Sequence, residues 1–149
     1  MTADLLSTNV EIYLQDTFNL NLSNVDSIVL DMPHSEPNDE GYFPYKALLH
    51  YKDMLCDNGL IIAIVENDFF DYDNDKNFKD ELFKTMSIVG LVELPDSMFK
   101  QGKPKFILVL QKKLLEDKKC FMVKLPSFND VKEFNHSLSE IETWFEKNK

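Results

Sequence analysis

Short apolar runs of strand length alternate along this chain with segments whose apolar residues recur at helical spacing. Glu11 to Leu14 (EIYL) alternates polar and apolar residues and predicts a strand ending at Gln15-Asp16. Ser27 to Leu30 (SIVL) is a β-branched run ending at Asp31, the pattern of a buried strand. The following MPHSEPNDEGYFP is dense in Pro, Asn, Asp and Gly and reads as a loop. Tyr45 to Cys56 places Leu48, Leu49, Tyr51 and Leu55 on one helical face, and Asp57-Asn58-Gly59 closes it with Gly59 in the left-handed cap. Leu60 to Val65 (LIIAIV) is a continuous apolar strand of the kind buried on both faces.

After the acidic run ENDFFDYDND, Asp75 is placed to cap a helix through Met86, with Phe78, Leu82 and Phe83 inward. Ile88 to Leu94 is a further strand stopped by Pro95, Phe106 to Leu110 (FILVL) another, and Phe121 to Leu125 a short one. Val131 to Lys147 is an amphipathic helix whose stripe is Phe134, Leu138, Ile141, Trp144 and Phe145, with Trp144 expected to be buried. Alternating strands and helices predict one domain with a mainly parallel α/β sheet. Its core should centre on Ile28, Val29, Ile61, Ile64, Val89, Leu91, Ile107 and Val109. Sites in such sheets lie beyond the carboxyl ends of the strands, which directs attention to Asp31, Glu66 and Leu94 onward.

Composition narrows the possible functions. The 149 residues, 44% hydrophobic, suffice for a single core, and no apolar run reaches membrane-spanning length. The N-terminus lacks the basic region of a signal peptide, so a cytoplasmic protein is expected. Cys56 and Cys120 read as free buried thiols in a reducing compartment. The net charge is −10, and all 16 basic residues are lysines. Nucleic-acid surfaces depend on clustered basic residues and on arginine for base contacts, so this chain by itself is a poor DNA reader. Any grip on DNA is expected only through a full-length protein. The cluster Lys100 to Lys105, with Lys112 and Lys113, reads first as a solvated edge and second as a phosphate contact of the full-length protein.

Several chemistries lack their residues. His34, His50 and His136 have no metal-ligand spacing with one another or with the cysteines, so no metal is expected. Asp71-x-Asp73-x-Asp75 resembles the start of a calcium loop, but Lys76 and Leu82 stand where the glycine and the bidentate Glu belong. Neither a G-x-S-x-G elbow nor a P-loop is present.

A strand ending in Asp31-Met32-Pro33-His34 is similar to the [Asn/Asp]-Pro-Pro-[Tyr/Phe] signature of amino-methyltransferases. The run VGLVELPDSMFKQGKPKFILVLQKK resembles the strand, Leu-Pro, Phe and strand-Lys sequence of adenine-specific N6 DNA methyltransferases. That family includes type I restriction-modification methylation subunits and their chromosomal homologues, which the tail VKLPSFNDVKEFNHSLSEIETWF also resembles. The resemblance spans about Glu11 to Phe145. It implies a Rossmann-like class I methyltransferase sheet, with S-adenosylmethionine as the methyl donor of the parent protein. On this mapping EIYLQD resembles the third of seven strands, with Asp16 near the donor's adenine. SIVLD, LIIAIV, IVGLVEL and FILVL resemble the fourth to the seventh, the last of them antiparallel.

The first two strands and the glycine loop of that fold are then missing, since none of the four glycines forms a G-x-G pair. The chain is therefore expected to be the C-terminal, substrate-side portion of a methyltransferase, inactive alone and binding the donor poorly. The rival expectation is a catalytically degenerate binding or assembly module. Residues 1–25 should be displaced from their family position or form a homodimer interface. The resemblance further implies catalytic roles for Asp31, Pro33 and His34: Asp31 accepts hydrogen bonds from the target amino group, and His34 replaces the stacking aromatic. Tyr42 and Phe43, with Tyr45, are candidates to wall a flipped base. Glu66-Asn67-Asp68 reads as a solvated acidic turn, or by the resemblance as a border of the substrate cleft.

Overall fold

The β-branched run at Ser27 builds β1 (Val25–Asp31), and the helical spacing after it builds α1 (Phe43–Lys52), which returns the chain to β2 (Leu55–Glu66). These elements belong to a computed structural model that describes residues 9–72, 76–114, 116 and 119–148. Beyond β2 come α2 (Lys76–Phe83), β3 (Ser87–Glu93), β4 (Lys105–Gln111), β5 (Phe121–Lys124) and α3 (Val131–Lys147). The strands form one sheet in the order β1-β2-β4-β3-β5. β1 pairs parallel with β2, and β3 with β5, while β4 lies antiparallel between β2 and β3. The connection from β3 to β4 carries no helix that could make a parallel crossover, so β4 returns in the opposite direction.

All eight residues expected at the core lie in this one sheet, but they are not equally buried. Ile61, Val89 and Val109 are buried, whereas Val29 is 71% exposed. Successive strand residues point to opposite faces, so Ile28 and Ile61 share one face while Val29, Ile62 and Val109 share the other, where Val109 is covered and Val29 is not. α1 and α2 cover the first face, packing Leu48, Phe78 and Leu82 with Ile61, Leu108 and Leu110. α3 covers the second face only near β3 and β5. There Phe145 lies 3.7 Å from the position of a Cβ on Gly90, and Trp144 sits 5.6 Å from Phe121, ring to ring. Val29 lies outside that cover. Trp144 is half-buried, which corrects the expectation of a buried indole.

Other expectations also shift. Residues 9–14 form no strand and are exposed, so the predicted EIYL strand is absent. Among the described residues no strand pairs with the outer edge of β1, and an alternating run without a neighbour has no ladder to join. The chain after it is anchored on α1. Phe18 packs edge-on against Phe43 and His50, and His50 Nε2 is 2.9 Å from the Leu20 carbonyl. α1 begins earlier than its apolar spacing, because Pro44 fits the first turn, and it stops at Lys52. Asp57-Asn58-Gly59 therefore falls inside β2. Asn58, at φ 64°, takes the left-handed conformation. Gly59 is required for another reason: a Cβ there would stand 2.9 Å from the Cys56 carbonyl oxygen.

Cys56 is half-buried and Cys120 exposed, so neither is the buried thiol expected. The predicted Asp75 cap and the Asp73 and Asp75 positions of the calcium-like run lie outside the described residues. Among the described residues no helix is long and apolar enough to cross a membrane.

Candidate functional site at the carboxyl ends of β1 and β2

Parallel pairing brings the ends of β1 and β2 side by side, so residues 31–34 and 66–68 leave the sheet together. Asp31 opens this edge, its exposed carboxylate 3.3 Å from Lys105 Nζ. Lys105 starts β4 directly opposite Glu66. Glu66 in turn holds His34, with Oε1 2.7 Å from His34 Nδ1. Asp31 and His34 are thus linked by two residues that face each other across the β2–β4 ladder.

Met32 explains one departure from the amino-methyltransferase signature. Its backbone N–H donates to the Ile64 carbonyl at 3.0 Å, and its side chain is buried. A proline has no N–H to donate, so Met32 extends the β1–β2 ladder by one residue. Pro33 is exposed, and its carbonyl accepts the Ser35 hydroxyl at 3.1 Å.

The acidic segment after β2 is not the solvated turn it resembles in sequence. Glu66 is 6% exposed, and its Oε2 has no hydrogen-bond partner among the described residues. Asp68 Oδ2 accepts from Lys103 Nζ and from the Tyr72 hydroxyl, while its Oδ1 is buried without a partner among the described residues. Burial pushes the Asp68 carboxyl up, but the hydrogen bonds from Lys103 and Tyr72 outweigh it and hold it below the usual range. The same contacts raise Lys103 well above an ordinary lysine. Burial, with the charges of Asp68 and Glu66, raises Tyr42 so far that its hydroxyl stays protonated.

Three candidate residues are placed elsewhere. Asp16 accepts the Phe18 N–H at 2.8 Å and caps a short 3-10 turn, its only side-chain hydrogen bond among the described residues. Tyr42 is 5% exposed, its ring packed 4.8 Å from Tyr45 and 4.6 Å from Tyr72, so a base has no free face of it to stack on. Phe43 is half-buried against Phe18. The planar group left exposed beside Asp31 is the His34 imidazole.

Lys103 and Lys105 were not singled out by the sequence, where they belong to an apparently solvated lysine cluster. Their inward turn is a property of the β4 register. Lys105 also begins a groove lined by Asn67, Phe70, Leu91, Glu93 and Pro104. Among the described residues no group of three or more His, Cys, Asp or Glu side chains could hold a metal ion.

No protein-family model matches the sequence, and no curated protein matches it. Solved structures do. A Listeria monocytogenes protein assigned to the class I S-adenosylmethionine-dependent methyltransferases aligns at a TM-score of 0.78 with 24% identity, over 96% of this chain. The alignment covers 50% of that protein, so this chain spans half its length. Two structures of M1.HpyAVI, one a complex with SAM, align at a TM-score of 0.41 with 17% and 11% identity. They cover 63% and 78% of this chain, and 47% and 88% of theirs, below the level at which a shared fold follows. The chain has the class I S-adenosylmethionine-dependent methyltransferase fold.

Proposed function

We propose that this chain forms the acceptor side of an S-adenosylmethionine-dependent amino-methyltransferase, with adenine N6 in DNA as the acceptor its motifs favour. The carrying observation is Asp31, an exposed carboxylate at the carboxyl end of a parallel strand, flanked by His34 and the buried Glu66. A carboxylate there accepts hydrogen bonds from a target amino group and aims the nitrogen lone pair at the methyl. The donor's cradle is not among this chain's glycines. A Cβ on Gly59 would meet backbone, Gly90 lies under Phe145, and Gly41 and Gly102 occupy loops. Donor binding is therefore assigned to further strands against the open edge of β1, where Val29 is exposed, and DNA binding to the full-length protein in the cytoplasm. In this reading the exposed Val10, Ile12, Tyr13 and Leu14 supply a homodimer surface.

The test is methyl transfer from radiolabelled S-adenosylmethionine to unmethylated DNA by the full-length protein. Wild type should label adenine N6, and Asp31→Ala should lower kcat on the order of 10²-fold. Donor binding without transfer to any nucleic acid would favour the second reading, a catalytically degenerate binding module. The burial of Tyr42, a candidate for the stacking wall, is the observation on that side.

A further inference from the structure

Glu66 is the most constrained ionisable group at the site. It ends β2, is 6% exposed, and keeps one carboxylate oxygen at His34 Nδ1 while the other has no partner among the described residues. A buried carboxylate needs a polar partner, and the partner Glu66 has is the His34 ring, held at 2.7 Å. His34 itself is 61% exposed, its Nε2 directed at solvent and 4.0 Å from Glu36. An imidazole held at Nδ1 by a buried acceptor carries its proton on Nδ1, which leaves the Nε2 lone pair free.

We propose that His34 is the proton acceptor of the methyl transfer and that Glu66 is its positioning residue. This rests on the amino-methyltransferase reading above and adds to it the route taken by the proton. The acceptor nitrogen attacks the methyl of the sulfonium donor, forming the N–C bond as the S–C bond breaks, and the S–C electron pair stays on sulfur. The methylated nitrogen is then cationic. It gives one proton to His34 Nε2, and the N–H electron pair returns to nitrogen. The imidazolium so formed is flanked by the Glu66 and Glu36 carboxylates and releases its proton to water through its exposed edge. Asp31, beside it, is engaged by Lys105 and keeps its acceptor role.

The experiment reads the tautomer first, in the wild-type chain, from the ring nitrogen shifts of His34 in ¹⁵N-labelled protein above the imidazole range. The Nδ1–H form is expected, opposite to the preference of free histidine. Glu66→Ala should return His34 to the Nε2–H form, and Glu66→Gln, which keeps an acceptor oxygen, should retain the Nδ1–H form. In the full-length enzyme Glu66→Ala should lower kcat roughly 10²-fold at unchanged KM, with partial rescue by Glu66→Gln. A wild-type His34 in the Nε2–H form overturns the proposal without any variant having to fold, and leaves the methyltransferase reading standing. An Nδ1–H His34 in a full-length protein that transfers no methyl group overturns both.

Discussion

Asp68, two residues beyond Glu66, takes its response to pH from the side chains that hold it. Asp68 is held by Lys103 and Tyr72, which depress its carboxyl in the folded protein. A carboxyl lower when folded than when unfolded adds stability above its unfolded value, and that stability is lost as pH falls through the folded one. Asp68→Asn should therefore lower the Tm at neutral pH, and the difference from wild type should vanish in acid. Scanning calorimetry across that range checks it, and a deficit persisting in acid would place the effect in packing instead. Met32 makes a similar point about motifs. It breaks the proline signature and extends the strand ladder in the same act.

Among the elements, α3 is where amphipathic pattern and actual burial diverge most. The helix begins and ends as its periodicity predicts, capped by Asp130 accepting the Glu133 N–H at 3.2 Å. Yet its stripe covers only the β3–β5 end of the sheet, and Leu138 is exposed. Trp144→Ala should cost about 2 kcal/mol in urea unfolding, short of the roughly 3–5 kcal/mol of a fully buried aromatic. Native Trp fluorescence should lie between buried and water-exposed positions. A cost near 5 kcal/mol, with blue-shifted emission, would mean that α3 is covered by something else in solution. β2 shows the converse case. Its apolar run predicts burial on both faces, and neighbours decide that only the Ile61, Ala63 and Val65 face is fully covered.

For the whole molecule, the sheet is closed at β5 by a short strand and open at β1, beside a site built from the adjoining strand ends. The glycines that could cradle a donor are committed to packing or to loops. Calorimetric titration of S-adenosylmethionine into this chain should accordingly give no saturable heat at concentrations adequate for weak binding. Saturable binding would mean that a donor pocket forms on these strands or between two copies.

The sequence by itself determined the β1 to β5 succession, the bounds of α3, and the place of Asp31, Pro33 and His34 at a strand end. Hydrophobic period and Pro-Gly punctuation are local properties, and a local reading recovers them. Which strands have neighbours is not local. EIYL alternates as a strand should but pairs with no strand among the described residues, and Val29 belongs to an apolar run but faces outward. Only the tertiary structure buried Glu66, turned Lys103 and Lys105 toward the acidic residues, and packed Tyr42 against Tyr45 and Tyr72. The Glu66 and Lys105 outcomes depend on register across the β2–β4 ladder and the Tyr42 outcome on packing against the loop after β2, between residues far apart in the chain, where neither periodicity nor spacing carries a signal.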